Sequence, residues 1–433
     1  MLPELTTPIP GPRSLALGEA LRQYESHNVT YVSPDFPVFW ERAHGVNVWD
    51  VDGNRLLDFT SGFGVAGLGY TPEKIVAAMT EQASRLYHAM GDVHPSVEKV
   101  ELCQMLSEWT FEKWGVGPGK VLLANSGGEA VEAALKTAAV ATHKPGVIAF
   151  AGSYHGLGYG PLTVTGRQDF QKRFRSQLAD FAHFAPFPSG PGFSPAAVET
   201  ALKEIFREHS IGAILVEPIQ ARGGEVIPPD WFLPLLRHLA YEHEALLIFD
   251  EIYTGFYRTG KRFACDHWSV VPDVVCVGKA LTSGFPLSAC VGRAKIMDQW
   301  PVSDGEALHT STFLGNPLGC RMAVTSLRLI EETVSADRIT AQGEFLLNGL
   351  KKLEGPRLRH ARGKGLLAGL EVVRADGSPD AAGTARIVCR CLKKGILLLG
   401  GGVHRNVLSF SPPFAVTEEE ISFVLKTVAQ SYE

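Results

Sequence analysis

The middle of the chain alternates between two patterns of apolar and polar positions. Short, nearly continuous apolar runs are typical of strands that are buried on both faces of a sheet. We predict six such strands, at residues 121–125, 146–151, 213–217, 246–250, 274–277 and 288–291. Helical patterning separates several of them, at residues 129–141, 195–209 and 231–242. Strands that alternate with helices predict an α/β domain with a mostly parallel central sheet.

The two ends of the chain have a different organisation. Near the N-terminus, a predicted helix at 15–24 precedes a hairpin whose two strands are joined by Asp52-Gly53-Asn54, a strong turn signal. Beyond residue 319, helices and strands are mixed, and Thr417 with Glu420 forms a capping box at the start of the last helix. We therefore predict a large domain over 61–319 and a smaller α+β domain over 320–433, which the N-terminal segment 1–60 joins.

Composition and charge exclude several classes of partner. The chain has 433 residues, with 41 Lys and Arg against 46 Asp and Glu, and a net charge of −5. Because nucleic acids and anionic membranes call for a basic face, neither is expected as a partner. No apolar run is long enough for a membrane-spanning helix, and residues 1–14 lack the pattern of a signal peptide. The seven cysteines contain no C-x-x-C pair, so we expect no metal site, no disulfide framework and a reducing, cytoplasmic location.

Polar residues follow four of the predicted strands at the point where each strand ends. Ser126-Gly127-Gly128 lies between a strand and a helix, where backbone N–H groups and the helix dipole favour an anion. Glu217 and Asp250 end two further strands, and Lys279 follows the apolar run Val274 to Gly278. Because ligands of α/β sheets bind at the carboxyl ends of the strands, these groups are candidates for one site.

A phosphate-binding helix start, a carboxylate and a lysine at one sheet edge are the groups that pyridoxal 5′-phosphate requires. The lysine carries the aldehyde as a Schiff base, the carboxylate keeps the pyridine nitrogen protonated, and the helix start holds the phosphate. Taken alone, each feature also has a structural explanation: a helix cap at Ser126, a loop ion pair at Asp250 and a surface lysine at Lys279.

Ordered motifs extend over nearly the whole chain. They include V-L-L-A-N-S-G-G-E-A at 121–130, S-Y-H-G at 153–156, V-E-P-I-Q at 216–220, D-E-I-Y-T-G-F-Y-R-T-G at 250–260, P-D-V-V-C-V-G-K-A-L at 272–281 and H-T-S-T-F-L-G-N-P-L-G-C at 309–320. In this order, and with 29 residues from Asp250 to Lys279, the chain resembles the class III aminotransferases. The resemblance implies the fold of type I pyridoxal-phosphate-dependent transferases.

The resemblance also implies a role for each residue that matches a family motif. Lys279 would form the Schiff base and carry the proton between the substrate carbon and the cofactor, and Asp250 would pair with the pyridinium nitrogen. The other implied contacts are Ser126, Gly127, Gly128 and the neighbouring subunit's Thr312 at the phosphate, Tyr154 and Ile252 on the two ring faces, Glu217 and Tyr253 on the O3′ side, and His155 beside the stacking residue. A ligand from the neighbouring subunit implies a homodimer, whereas His155 also has a purely structural explanation.

Departures from the family pattern concern the substrate. Leu157 and Ser409 stand where members that bind acidic substrates have arginine, and Arg222 replaces the glutamate that pairs with one of those arginines. Because Arg222 supplies a cation that can bind a carboxylate, we expect an ω- or β-amino donor and a small keto acid as acceptor. Arg405 is a second candidate anchor.

An alternative for the substrate residues stays open at this stage. In it, Arg222 points to solvent and the pocket is apolar, lined by Phe63 and Tyr154.

Alternatives for the reaction also stay open. The leading interpretation is an aminotransferase with a ping-pong mechanism, and the closest rival is an amino-acid racemase, epimerase or aminomutase on the same fold. A non-catalytic cofactor-binding module is less favoured, because the acidic chain has no extra DNA-binding segment.

Overall fold

A computed structural model of the chain describes residues 1–189 and 192–432. The strands of this part are β1 (Trp40–His44), β2 (Asn47–Asp50), β3 (Arg55–Asp58), β4 (Gly119–Ala124), β5 (Gly146–Phe150), β6 (Ala182–Ala185), β7 (Ile211–Val216), β8 (Leu246–Asp250), β9 (Val274–Val277), β10 (Ser288–Arg293), β11 (Leu358–Lys364), β12 (Leu367–Val372), β13 (Ile396–Leu397), β14 (Leu399–Gly401) and β15 (Val407–Phe410).

The α-helices of the same residues are α1 (Pro12–Tyr24), α2 (Ser61–Gly64), α3 (Glu73–Arg85), α4 (Val97–Ser107), α5 (Gly127–Thr142), α6 (Tyr159–Thr163), α7 (Gln168–Gln171), α8 (Pro195–Glu208), α9 (Phe232–Glu242), α10 (Ala294–Met297), α11 (Pro317–Thr333), α12 (Ala336–Lys352), α13 (Ala381–Leu392) and α14 (Glu418–Tyr432). A π-helical turn, Glu108–Glu112, continues α4. Short 3₁₀ turns form at Arg175–Gln177, Ala264–His267 and Lys279–Leu281, and the last of these follows β9. No helix of the described ranges is both long enough and apolar enough to cross a membrane.

The chain divides into two compact units. One consists of Met1–Pro72 and the residues from Asp337 onward, and the other is Glu73–Ala336. The sequence led us to expect divisions after residues 60 and 319. The second division falls later because α11 packs against α3 and α4 of the larger unit, so this helix belongs with them.

The larger unit is built on a seven-stranded sheet with the order β4-β10-β9-β8-β7-β5-β6. Strand β10 is antiparallel to both of its neighbours, and the remaining pairs from β9 to β6 are parallel. The predicted mostly parallel α/β sheet is confirmed. Because only β10 is reversed, the carboxyl ends of β4, β5, β7, β8 and β9 lie at one edge of the sheet.

The helix α5 covers this sheet with small side chains. Ala130, Ala133, Ala134 and Ala138 are buried in one apolar cluster with residues of β5, β7, β8, β9 and β10. Burial on both faces explains the continuous apolar runs, since every residue of β5, β7 and β9 is buried. This rigid centre fixes the strand ends that carry the candidate site.

The smaller unit contains two four-stranded sheets, with the orders β1-β2-β3-β13 and β11-β12-β15-β14. The predicted hairpin is present as the antiparallel pair β2 and β3, and β13 from the C-terminal part of the chain pairs in parallel with β3. This pairing joins the N-terminal segment to the C-terminal part. The apolar cluster of Ile9, Val38, Val48, Leu56, Leu392 and Leu397 packs the same two parts together.

Candidate active site

Five strand ends of the larger unit deliver polar or aromatic side chains to one cavity of about 650 Å³. Ser126 follows β4, Tyr154 follows β5, Glu217 follows β7, Asp250 ends β8 and Lys279 follows β9. Their convergence results directly from the parallel strands, because the carboxyl ends of parallel strands share an edge.

The start of α5 forms one wall of this cavity. The Ser126 hydroxyl accepts a hydrogen bond from the Glu129 backbone N–H at 3.3 Å, and the Glu129 carboxylate accepts one from the Asn125 N–H at 2.9 Å. The first N–H groups of a helix have no intrahelical acceptor, and those of α5 belong to two cavity-lining residues, Gly127 and Gly128. The helix start is therefore suited to an anion.

The glycines of this wall differ in how much space surrounds them. A Cβ atom on Gly127 would lie 2.9 Å from Ile252 Cδ1, so no larger residue fits without a shift. Gly156 has φ +131°, and a Cβ there would lie 2.9 Å from the Gly128 Cα. At Gly128 the nearest atom to an added Cβ is 3.8 Å away. Gly156 is thus required by its backbone conformation and close approach, a larger residue at Gly127 would displace the Ile252 side chain, and Gly128 has room for one.

Asp250 is buried and held by two hydrogen bonds. Its Oδ1 accepts the Ile252 backbone N–H at 3.1 Å, and its Oδ2 lies 2.8 Å from His155 Nδ1. Since a carboxylate only accepts, Nδ1 carries the proton. The opposite ring atom, His155 Nε2, is buried and has no partner within the described residues. The His155 backbone N–H donates to Thr165 Oγ1 at 3.0 Å, which fixes the loop after β5.

Lys279 is half-buried and has a backbone φ of 46°, a left-handed value that is unusual for lysine. Its Nζ lies 4.1 Å from the centroid of the Tyr253 ring. Burial disfavours the ammonium and lowers the pKa of Lys279 to about 8. The Asp250 and Glu217 carboxylates partly offset this change in pKa, and the Arg222 guanidinium adds to it. A lysine with this pKa has a usable fraction of neutral amine near neutral pH.

Glu217 is buried and binds the backbone rather than another side chain. Its two oxygens accept the N–H groups of Tyr154 at 2.9 Å and Ala221 at 3.3 Å. The pKa of Glu217 is raised to about 7, mainly by burial; His155 opposes this change and Asp250 adds to it. Glu217 thereby ties the loop after β5 to the loop after β7.

Arg222 lies over Tyr154. Its Cζ is 4.2 Å from the centroid of the tyrosine ring, and Arg222 lines the cavity. The Arg167 side chain donates to the Arg222 carbonyl at 3.2 Å and holds this loop in place. Arg222 therefore lies at the cavity, and its role toward the substrate stays a prediction. Leu157 lines the same cavity and is 52% exposed.

Four predicted site residues do not line this cavity. Thr312 is exposed in the larger unit, in the loop before α11. Phe63, Arg405 and Ser409 belong to the smaller unit, where Phe63 is exposed at φ 64° and Ser409 lies on β15 opposite Gly369.

Other supporting residues were not singled out from the sequence. Glu129 has a recognisable signal, since it stands three residues after Ser126 in a capping pattern. Ser288, whose hydroxyl donates to the Ser126 carbonyl at 2.5 Å, and Thr165 carry no such signal. No group of three or more His, Cys, Asp or Glu residues in 1–189 and 192–432 is arranged to hold a metal ion.

Comparison with known proteins identifies the family. The family description "Aminotransferase class-III" matches residues 29–431. The chain belongs to the class III aminotransferases. It is 31% identical to an alanine/serine racemase of Pyrococcus horikoshii (99% of this chain, 92% of the relative) and 33% identical to the 4-aminobutyrate aminotransferase GabT of Escherichia coli (92% and 94%). A solved (S)-enantioselective omega-transaminase from Thermomicrobium roseum is similar in fold, with a TM-score of 0.88, 26% identity and coverage of 96% and 97%.

The protein is accordingly a transaminase, and its cofactor is pyridoxal 5′-phosphate. The cavity fits that group on its own chemistry. An anion-binding helix start, a buried carboxylate and a lysine with a lowered pKa line one space of about 650 Å³. The close approach of Gly127 to Ile252 further shapes the wall beside the helix start.

Proposed function

We propose that this aminotransferase moves an amino group from an amine or amino-acid donor to a keto acid by a ping-pong mechanism that depends on Lys279. The observation that carries the proposal is the convergence of Lys279, Asp250 and the start of α5 on one cavity. When bound, the cofactor supplies an electron sink for the electrons of the cleaved C–H bond. The protein has to hold the cofactor, orient the substrate and move one proton.

Lys279 is the proton carrier in this proposal. Its pKa of about 8 lets the side-chain amine take up a proton and release it again near neutral pH. The 3₁₀ turn and the left-handed backbone fix the point from which the side chain enters the cavity. Asp250 pairs with the pyridinium nitrogen, and the His155 hydrogen bond at 2.8 Å keeps that carboxylate in one orientation.

We assign the remaining cofactor contacts to residues that line the cavity. Ser126, Gly127 and Gly128 bind the phosphate through the helix start, and Tyr154 and Ile252 flank the ring. Glu217 and Tyr253 serve the O3′ side. All of these residues line the same cavity, which supports the assignment.

We also propose a homodimer in which the partner subunit's Thr312 binds the phosphate. The loop that contains Thr312 contacts residues 86–94. The Thr310 hydroxyl donates a hydrogen bond to Asp92 Oδ2 at 2.9 Å, and the ring centroids of Phe313 and His88 are 5.5 Å apart. Large apolar side chains are exposed on these segments and on α4, namely Leu86, Tyr87, Met90, Val93, Val97, Val100, Leu308 and Phe313. An exposed apolar surface of this kind is typical of an interface.

The cytoplasm is the proposed compartment, since all seven cysteines are free thiols. For the substrate, an ω- or β-amino donor remains the proposal. Phe63, Arg405 and Ser409 are candidate substrate residues of the smaller unit, and Leu157 is one of the larger unit.

A racemase or mutase is the second candidate, favoured by the 31% identity to a racemase over 99% of the chain. The two functions share the first proton transfer but differ in what leaves the enzyme. We would mix the holoenzyme with a single amine donor and no acceptor. An aminotransferase releases about one equivalent of oxo product per site and stops, and the cofactor absorbance returns when a keto acid is added. Inversion or rearrangement of the donor with no oxo product would contradict the proposal.

A further inference from the structure

Arg222 has an unusual environment for a half-buried arginine. Its guanidinium lies over the Tyr154 ring, 4.2 Å from the ring centroid, and 5.6 Å from that of Phe170. Within residues 1–189 and 192–432, no carboxylate oxygen lies within 4.0 Å of it, and its side chain donates no hydrogen bond. Five N–H donors of a permanent cation are thus available at the cavity.

The acidic groups nearby are already committed. Asp169 forms an ion pair with Arg167 at 3.0 Å. Glu217 accepts two backbone N–H groups and forms no ion pair with Arg222. Asp250 is bound to His155 and to a backbone N–H. Within residues 1–189 and 192–432, none of these carboxylates forms an ion pair with Arg222, so its guanidinium is available to an anion that enters the cavity.

We propose that Arg222 is the receptor for a carboxylate that both the amino donor and the keto-acid acceptor carry. The inference rests on the proposed aminotransferase function. In a ping-pong reaction the donor and the acceptor occupy the same cavity in turn, so both meet the same uncompensated cation. A guanidinium binds a carboxylate through two parallel N–H···O bonds, and the aromatic ring beneath it fixes its plane and position.

The consequence is a substrate class. Amino carboxylates and keto carboxylates are accepted, whereas an amine without an anionic group leaves the guanidinium desolvated and unpaired. The cost of an unpaired half-buried charge exceeds that of an exposed one. With a fixed cation and no internal counter-ion, this chain cannot switch between charged and uncharged substrates by rearranging an ion pair.

The test uses the holoenzyme and two inert probes of nearly the same shape, propionate and propionamide. Calorimetry gives the dissociation constant of each for the wild type, Arg222→Met and the matched control Arg207→Met. Arg207 is an exposed arginine of α8 that pairs with Glu204 and Glu208, so the control removes the same charge away from the cavity. Arg222→Met is expected to raise the dissociation constant of propionate by about 10- to 100-fold. The dissociation constant of propionamide should change by less than about twofold, and the control should leave both constants unchanged.

A second measurement does not depend on how a variant folds. In the wild type, propionate should bind more tightly than propionamide, and single-turnover oxo-product formation should be faster with 3-aminopropanoate than with 3-aminopropanamide. Equal binding of the two probes by the wild type, or unchanged propionate affinity in folded Arg222→Met, overturns the inference. Because the binding measurement needs no turnover, it stands apart from a failure of the aminotransferase proposal, which the release of oxo product reports.

Discussion

Lys279 is expected to lose its proton near pH 8 when the cofactor has been removed. Burial is the main cause of the lowered pKa, with Arg222 in support and Asp250 and Glu217 in opposition. Only the neutral amine attacks an aldehyde, so this pKa sets the pH range in which the protein captures its cofactor.

The expected effect is large. At pH 7.5 a lysine of pKa about 8 is about 24% neutral, whereas one at the ordinary value of about 10.4 is about 0.1% neutral. The environment of Lys279 therefore increases the reactive fraction by roughly 200-fold at this pH.

Competitive labelling measures this pKa directly. The cofactor-free protein is treated with trace acetic anhydride between pH 6 and pH 11, and peptide mass spectrometry gives the extent of labelling at Lys279. Labelling of the exposed Lys172 serves as the internal reference for reagent loss. The midpoint for Lys279 should lie near pH 8. The midpoint should move down in Glu217→Gln, because removing a carboxylate lowers a lysine pKa. It should move up in Arg222→Met, because removing a cation raises that pKa.

Two results would refute this reasoning. A midpoint above pH 10 in the folded protein would show that burial does not control the amine. An unchanged or lower midpoint in Arg222→Met would show that the guanidinium does not lower the pKa of Lys279.

Three further changes have definite expected outcomes. Gly127→Ser should weaken cofactor binding at least tenfold, because its Cβ meets the Ile252 side chain at 2.9 Å, while Gly128→Ser, with 3.8 Å of space, should weaken it much less; equilibrium dialysis measures both. Asp250→Asn should retain bound cofactor yet lose turnover by orders of magnitude, and a loss of less than tenfold in steady-state assays would contradict its role. Mixing Lys279→Ala with Thr312→Ala subunits should give more activity than the sum of the separate variants, since one complete site forms in each heterodimer; a fully active monomer in sedimentation would disprove the shared site.

The sequence predicts the central strands well because burial on both faces produces a simple pattern of apolar residues. β7 and β9 are buried on both faces, and each appears as an unbroken apolar run. Among the strands that we did not predict, β1, β6 and β11 are at sheet edges. β1 is mostly exposed and β11 is rich in basic residues, so neither shows an apolar run or a clean alternation.

The same distinction applies to the candidate site, where residues at strand ends are predictable and loop contacts are not. Asp250 and Lys279 are predictable because each stands at the end of a buried strand, and parallel topology brings such ends together. The contact between Arg222 and Tyr154 and the pairing of His155 with Asp250 are not predictable, since both depend on the path of loops. Loop residues have no periodicity that would fix where a side chain points.

The central claim is that Lys279 carries the cofactor in this cavity. Reduction of the holoenzyme with borohydride makes the link between lysine and cofactor permanent, and peptide mass spectrometry then locates it. We predict one phosphopyridoxyl group per chain on the peptide that contains Lys279, and none in Lys279→Ala. Attachment to another lysine in the wild type would contradict the assignment and the mechanism built on it.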